Sequence, residues 1–266
     1  MPQVIRSGCR LNYRIDGNPH GEPLLFSNSL GTTHELWRPQ VEGLSASFRI
    51  IRYDTRGHGA SDAPRDEYTI DALGRDAIAI LDAAGVERAD VCGLSLGGLT
   101  AMWLGVNAPE RVRSLILSST AARIGSVSMW TERIAQVHAS GVAALADAAM
   151  GRWFTAGYRA AQPDVVSVYH RMLGSIPADG YVGCCAAIRD ADLREAIKSV
   201  GAPTLVIAGR EDPVTPPSDA EDIRARIAGA RVEILDAAHI ANVERAQTYN
   251  DLVSSFIAEQ SRSLHG

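Results

Sequence analysis

Residues 89–98 constrain the fold of this chain most, because a short apolar strand, a sharp turn and the start of a helix follow one another there. Gly93, Ser95 and Gly97 form a Gly-x-Ser-x-Gly motif at the turn. In a nucleophile elbow the serine backbone is strained, and its neighbours two positions away must be small because strand and helix nearly collide. Gly98 relaxes the packing further. The motif predicts a nucleophile, Ser95, at a helix N-terminus that favours negative charge. The alternative is a glycine-rich turn of an ordinary α/β crossover.

Predicted strands and helices alternate on both sides of this motif, with short connections. Such alternation implies a parallel sheet with helices on both faces. Ligands of these sheets bind beyond the carboxyl ends of the strands, where the polar loops of this chain fall. After a hairpin over residues 4–15, the other predicted strands cover residues 24–26, 48–54, 112–117, 203–208 and 232–235, and predicted helices cover residues 34–44, 70–84, 217–227 and 243–257.

The alternation stops near residue 122 and resumes near residue 199. Between these points the pattern is helical, and no segment predicts a strand. We therefore predict a core domain formed by residues 1–121 and 199–266, and a helical lid formed by residues 122–198 that could cover the strand ends. Its predicted helices span residues 129–137, 142–153, 165–173 and 182–188.

Ser95 needs a base that takes its proton, and His239 is the best candidate among the seven histidines. It lies in a loop after the last predicted strand and before the final helix. This loop should lie at the same edge of the sheet as Ser95. His34 and His58 also lie on strand-end loops and could approach the site. A structural, hydrogen-bonding histidine is the alternative interpretation of His239.

A catalytic histidine needs a carboxylate that fixes its tautomer. Asp212 follows a predicted strand, and Pro213 favours a fixed turn at that point. Glu211 competes with it, but its side chain should point the other way, and Asp236 is too close to His239 for an independent orienting role. The alternative interpretation of Asp212 is a turn or cap residue.

The tetrahedral intermediate of acyl transfer needs two backbone N–H donors. Leu96 directly follows the nucleophile and should supply one of them. Leu30, in the polar loop 28–31 after a predicted strand, is best placed to supply the other. An ordinary strand-to-helix loop is the alternative at Leu30.

Composition argues against several classes of function. The 26 Lys and Arg against 31 Asp and Glu give a net charge of −5 with no basic block, which argues against nucleic acid or an anionic membrane as a partner. The first residues lack the apolar core of a signal peptide, and no run approaches the ~20 apolar residues that span a bilayer. We expect a cytoplasmic protein. The spacing of the four cysteines favours small buried thiols in a reducing compartment over a metal or redox site; they are Cys9, Cys92, Cys184 and Cys185.

The chain resembles the α/β hydrolases with a helical lid over its whole length, and within them the 3-oxoadipate enol-lactonases of bacterial aromatic catabolism. The resemblance rests on residues 26–32, 54–61, 93–98 and 184–194. The order Ser95, Asp212, His239 is also the order in which α/β hydrolases carry their triad. Asn28-Ser29 stands where many of them carry His-Gly, which fits the enol-lactonases. Ala238 stands before His239 where glycine is usual, which leaves the local backbone of the base less defined.

The resemblance implies an α/β-hydrolase fold, with a mostly parallel eight-stranded sheet, helices on both faces and a helical lid insertion. It implies a serine hydrolase that converts 3-oxoadipate enol-lactone to 3-oxoadipate in the β-ketoadipate pathway, with no metal and no cofactor. The partner is then a small lactone that carries a carboxylate, and the pocket should hold a cation. The sequence leaves the oligomeric state open.

Arg133 is the preferred cation because it lies three residues after Trp130, on the same face of a predicted helix. The pair could offer a charge and an aromatic wall to one ligand. Trp153 is either pocket lining or lid core. The other candidate arginines of the lid are Arg152, Arg159, Arg171, Arg189 and Arg194.

Two other functions remain open on the sequence. A broad carboxylesterase or a cofactor-free haloperoxidase-like hydrolase would use the same triad with a less polar pocket. A hydrolase-fold protein that binds a ligand without turnover belongs to a different class, which a complete triad disfavours.

Overall fold

The computed structural model describes residues 2–263, and an eight-stranded sheet runs through the centre of this part of the chain. Its strands lie in the order β1-β2-β4-β3-β5-β6-β7-β8, with antiparallel pairs β1–β2 and β2–β4 and parallel pairs elsewhere. This confirms the predicted fold class. The strands are β1 (Gln3–Arg6), β2 (Cys9–Gly17), β3 (Glu22–Ser27), β4 (Phe48–Tyr53), β5 (Ala89–Leu94), β6 (Val112–Ser118), β7 (Thr204–Gly209) and β8 (Arg231–Leu235).

Helices cover both faces of this sheet, since every residue of the central strands β5 and β7 is buried. The helices are α1 (Arg38–Leu44), α2 (Ile70–Ala83), α3 (Leu96–Asn107), α4 (Val127–Ser140), α5 (Ala146–Trp153), α6 (Ala156–Ala161), α7 (Pro163–Gly174), α8 (Ala178–Asp190), α9 (Pro217–Arg226), α10 (Ala241–Glu244) and α11 (Ala246–Ser263). Helix α2 packs against α3, and α1 against α11. None of the helices within residues 2–263 combines the length and apolar character that crossing a membrane requires.

The strand register brings the functional loops to one edge of the sheet. Ser27 at the end of β3 pairs with Gly93 near the end of β5, and Gly209 at the end of β7 pairs with Leu235 at the end of β8. Because these strands are parallel, their carboxyl ends coincide. The loops that follow β3, β5, β7 and β8 therefore emerge side by side.

Helices α4 to α8 lie between β6 and β7, as the helical pattern predicted. Helix α4 packs against α8, and α5 packs against α7. The sequence missed α6, which is short, lacks an apolar face and begins at the capping side chain of Thr155. The division into a core and a lid formed by residues 122–198 stays a prediction.

Two predicted helices are divided in the structure. Residues 34–44 form a 3₁₀ turn, His34–Trp37, and then α1, because Pro39 in the first turn of α1 has no N–H for the preceding turn. The predicted closing helix, residues 243–257, is wrong at its start. Val243 belongs to the separate α10, and Arg245 leaves the helical conformation before α11 begins.

Candidate active site

Ser95 lies at the tip of a strained turn between β5 and α3. Its φ of 56° and ψ of −112° lie in a region that non-glycine residues rarely adopt. A Cβ atom on Gly93 would lie 2.0 Å from the carbonyl oxygen of Gly97, and one on Gly97 would lie 2.0 Å from that of Ser27. The two glycines of the motif are thus required by direct backbone contact.

Hydrogen bonds from the neighbouring strand hold this turn. The Ser95 N–H donates to the carbonyl of Ser118 at 2.9 Å, and the Thr120 hydroxyl donates to the carbonyl of Ser95 at 2.8 Å. Bonds on both sides of the residue maintain its unfavourable backbone angles. The serine hydroxyl is therefore presented at the start of α3 in a fixed position.

His239 and Asp212 form a buried, hydrogen-bonded pair. The His239 Nδ1 lies 2.7 Å from the Asp212 Oδ2. Asp212 also accepts the Thr215 hydroxyl on Oδ2 at 2.8 Å, and on Oδ1 the amides of Val214 at 2.8 Å and Thr215 at 3.1 Å. Since the carboxylate only accepts, Nδ1 carries the proton of the neutral imidazole, and Nε2 is left as the acceptor.

The electrostatics of Asp212 favour its ionised form. Burial alone would raise its pKa, but His239 and the amides of Val214 and Thr215 outweigh that effect and hold the pKa below its usual value. The competing carboxylates lie elsewhere: Asp236 is exposed and pairs with Arg210 at 2.7 Å, and Glu211 is exposed. Of the three carboxylates considered, Asp212 is therefore the one that is hydrogen-bonded to His239.

Ser95 and His239 line one cavity of about 200 Å³. Asp212 lies behind the histidine, and the Leu30 loop lines the cavity beside the serine. Residues from α4, α5, α7 and α8 close the cavity on the side away from the sheet. The three residues predicted to bind substrate all lie on its wall: Trp130, Arg133 and Trp153.

Leu30 and Leu96 present backbone N–H groups that, among the described residues, donate to no protein acceptor. The side chain of His58 holds the loop that carries Leu30 in place. Gly31, at φ +79°, donates its N–H to the His58 Nε2 at 3.0 Å, while the His58 Nδ1 donates to the carbonyl of Arg56 at 3.2 Å. Burial lowers the pKa of His58 to about 4, so this ring stays neutral and accepts the bond.

The two other histidines considered as bases have structural partners instead. The Nε2 of His58 is occupied by the Gly31 amide. His34 directs its Nδ1 to the Asp54 Oδ1 at 2.8 Å. The sequence did not suggest the role of His58 in shaping the Leu30 loop, because the contact joins residues 27 positions apart and follows no local pattern.

Two arginines contribute to the cavity wall, Arg133 from α4 and Arg152 from α5. Neither forms an ion pair with a carboxylate within the described part of the chain. Burial and the charge of Arg133 lower the pKa of Arg152. Burial raises the pKa of the neighbouring Tyr181 hydroxyl to about 12, although both arginines act in the opposite direction. Two unpaired positive charges beside a half-apolar cavity fit a small anionic ligand.

The remaining candidate arginines do not line this cavity. Arg189 pairs with Glu67 and Arg194 with Asp192. Arg159 and Arg171 are exposed. In the sequence Arg152 was one of six candidate arginines for the substrate carboxylate, and nothing marked Tyr181 as a cavity residue. The reason is that their approach to Ser95 depends on how α5 and α8 pack.

The cysteines take no part in this site. All four are free and buried, and residues 2–263 hold no group of three or more His, Cys, Asp or Glu side chains that could bind a metal ion. Burial raises the pKa of the Cys185 thiol to about 12, which keeps it protonated.

Comparison with known proteins places this geometry in a family. Residues 22–246 match the family model of the alpha/beta hydrolase fold. The chain is 41 % identical over 245 residues to 3-oxoadipate enol-lactonase 2 of Acinetobacter baylyi, which covers 92 % of either chain. It is 38 % identical to enol-lactonase 1 of the same organism over 95 % of this chain and 94 % of the relative. The chain belongs to the 3-oxoadipate enol-lactonase family of α/β hydrolases.

A solved structure of this family has the same architecture. The enol-lactonase from Burkholderia xenovorans superposes with a TM-score of 0.94 and 42 % identity, over 97 % of this chain and all of that one. The resemblance predicted from the four sequence stretches is thereby confirmed. We therefore interpret the cavity around Ser95 by comparison with the enol-lactonase family.

Proposed function

We propose that this protein is a serine hydrolase that converts 3-oxoadipate enol-lactone to 3-oxoadipate in the catabolism of aromatic compounds. The observation that carries the proposal is the joint placement, in one cavity, of Ser95, the His239–Asp212 pair and two unpaired arginines. The A. baylyi and B. xenovorans enol-lactonases support it as relatives over nearly the whole chain. The roles of the individual residues are part of the proposal.

In the first step His239 Nε2 takes the proton of the Ser95 hydroxyl, and the oxygen attacks the lactone carbonyl. Asp212 stabilises the imidazolium that forms and keeps its ring oriented. The N–H groups of Leu30 and Leu96 stabilise the tetrahedral oxyanion, and the loss of one such donor typically costs about 3 kcal/mol in the barrier.

In the second step the bond between the carbonyl carbon and the ring oxygen breaks, and an acyl-enzyme forms on Ser95. The leaving enolate oxygen takes from His239 the proton that came from Ser95. It remains tethered to the acyl group. A tethered alcohol would attack again, because intramolecular groups reach effective concentrations of about 10⁵ M and above. The enol instead becomes a ketone, which is a poor nucleophile, so ring opening becomes irreversible.

In the last step a water molecule gives a proton to His239 and attacks the acyl-enzyme carbonyl. The same donors stabilise the second oxyanion, and the proton returns to Ser95 as the ester bond breaks. The product leaves as a carboxylate. His239 thus carries the protons of ring opening and of acyl-enzyme hydrolysis, while the enol becomes a ketone by a proton shift from oxygen to carbon and the new carboxylic acid loses its proton to water.

Arg133 and Arg152 would bind the carboxylate that the lactone already carries. Loss of a charge-assisted contact should raise KM about ten- to hundred-fold. We expect this rise with Arg133→Ala for the lactone, and no rise for p-nitrophenyl acetate, which has no carboxylate. Arg159→Ala, at an exposed site outside the cavity, is the matched control. An equal rise for both substrates would contradict carboxylate binding by Arg133.

The decisive experiment is turnover of freshly generated 3-oxoadipate enol-lactone beside p-nitrophenyl acetate, with wild type and Ser95→Ala. Fast lactone turnover that is lost in the variant supports both the substrate and the nucleophile. Ester turnover without lactone turnover would leave the serine chemistry intact and refute the substrate, which is the outcome expected of a broad carboxylesterase. Failure to turn over either substrate, or to react with a fluorophosphonate at Ser95, would indicate a ligand-binding protein.

A further inference from the structure

Glu244 is a buried carboxylate that the proposed chemistry does not use. It ends α10, five residues after His239, and it is 6 % exposed. Its Oε2 accepts the amide of Ala238 at 3.1 Å and the amide of Thr155 at 3.2 Å, and its Oε1 accepts the Thr155 hydroxyl. Three donors thus converge on this one buried side chain, and without it they would lose their acceptor.

The donors come from two elements that belong to different parts of the cavity. Ala238 precedes His239 in the loop of the base. Thr155 caps α6 and follows the end of α5, where Arg152 and Trp153 line the cavity. Glu244 therefore joins the loop of the base to the segment that carries part of the substrate-facing wall.

A second set of bonds joins the same two segments. The amide of His239 donates to the carbonyl of Arg152 at 3.4 Å, and the amide of Ile240 donates to the carbonyl of Trp153 at 2.9 Å. Residues 152–155 and 238–240 are thus tied to one another by their backbones on one side and through Glu244 on the other. Five hydrogen bonds therefore hold the two segments against each other.

We infer that Glu244 is a positioning residue, which fixes the base His239 relative to residues 152–155, the segment from which Arg152 and Trp153 line the cavity. The inference rests on the proposed function, since it takes His239 as the base. Without the carboxylate, the bonds from Ala238 and Thr155 would be lost, and the loop could shift relative to the wall. A misplacement of a reacting group by about 1 Å is enough to lower rates about a hundred-fold.

The variant Glu244→Met tests this. Methionine has about the length of glutamate but no acceptor oxygen, so the amides of Ala238 and Thr155 lose their partner. Glu244→Gln is the conservative variant, because its amide oxygen can accept both amides in place of Oε2 while its NH₂ donates to the Thr155 hydroxyl oxygen. Thr155→Val removes the hydroxyl that donates to Glu244, and with it the cap of α6, but keeps the backbone amide. Glu233→Gln, on the exposed side of β8, is the matched control for loss of a negative charge.

We measure kcat and KM for the lactone and for p-nitrophenyl acetate, the pH profile of kcat, and the rate at which a fluorophosphonate labels Ser95, all per folded molecule. With Glu244→Met we expect kcat and the labelling rate to fall about ten- to hundred-fold, because the base is misplaced, and Glu244→Gln should restore most of the loss. The KM of the lactone should also rise, because Arg152 moves with the same segment. Thr155→Val should show the same changes at smaller size, and Glu233→Gln should show none.

A lower melting temperature with unchanged kcat, KM and labelling rate would overturn the inference and leave Glu244 as a purely structural residue. If Glu244→Met does not fold, Thr155→Val decides by the same criteria. If the wild type turns over the ester but not the lactone, the proposed substrate is wrong, while the ester kcat still decides the role of Glu244.

Discussion

Asp212→Asn is the substitution that tests the base most directly, because the structure fixes how the new amide must lie. In the wild type Oδ1 accepts two backbone amides, from Val214 and Thr215, and neither can become an acceptor. The amide oxygen of the variant must therefore take that position. Its NH₂ group then faces His239 Nδ1, which must give up its proton and become an acceptor.

The tautomer of His239 sets the size of the effect. With Nδ1 as acceptor, the proton of the neutral ring moves to Nε2, the atom that has to take the proton of Ser95. The same substitution in a serine hydrolase of another fold lowers kcat about 10⁴-fold without disturbing the geometry. We expect a loss of the same order here, equivalent to about 5 kcal/mol in the barrier.

The assay is kcat at pH 7 for the lactone and for p-nitrophenyl acetate, with the folded state checked by circular dichroism. Both substrates should lose activity equally, since both need the base. Asp236→Asn is the control, because Asp236 lies three residues from His239 in sequence but is exposed and pairs with Arg210. If Asp212→Asn keeps more than about a tenth of the activity, or Asp236→Asn loses as much, the assignment of acid and tautomer is refuted.

Three further outcomes follow from the packing. In urea unfolding, Gly93→Ala should lower the free energy of unfolding by about 3 kcal/mol or more, because its Cβ would meet the Gly97 carbonyl at 2.0 Å. The control Gly157→Ala has open space around it and should be neutral or stabilising by up to about 1 kcal/mol. Burial lowers the pKa of His58 to about 4, from about 6.5 in the unfolded chain. The neutral ring therefore contributes about 3 kcal/mol to the free energy of unfolding above pH 6.5, and this contribution is lost as the pH falls through 4. Urea unfolding of His58→Gln should show a shallower pH dependence in that range, and an unchanged slope would contradict the assignment. Ellman's reagent should find no reactive thiol in the native protein and all four after denaturation, and fast native labelling would contradict the buried, protonated state.

The sequence predicted the fold and the turn at Ser95 because the signals for them are local. The alternation of strands and helices follows from the spacing of apolar residues over a few turns. The motif around Ser95 is a steric requirement between residues two positions apart. The division of the closing helix at Arg245 escaped prediction, because apolar residues continue at helical spacing through it.

The candidate site was predictable where parallel strands bring their following loops to one edge, as for Ser95, Asp212 and His239. Their placement in the structure agrees with the sequence, and their catalytic roles stay predictions. His58 and His239 each lie on a strand-end loop, and the sequence favoured His239 because it stands between the last strand and the final helix. The structure separates them, because the Nε2 of one accepts the Gly31 amide and the Nδ1 of the other meets a buried carboxylate.

By itself, then, the sequence determined the elbow, the sheet and the residues available for acyl transfer, since each depends on contacts between near neighbours or on strand order. Only the tertiary structure decided the partner of each polar group. Glu244 and Thr155 are 89 positions apart, and the approach of Arg133 and Arg152 depends on how α4 packs against α8 and α5 against α7. Such pairings arise from the packing of whole elements, and no local pattern encodes which buried donor will meet which acceptor.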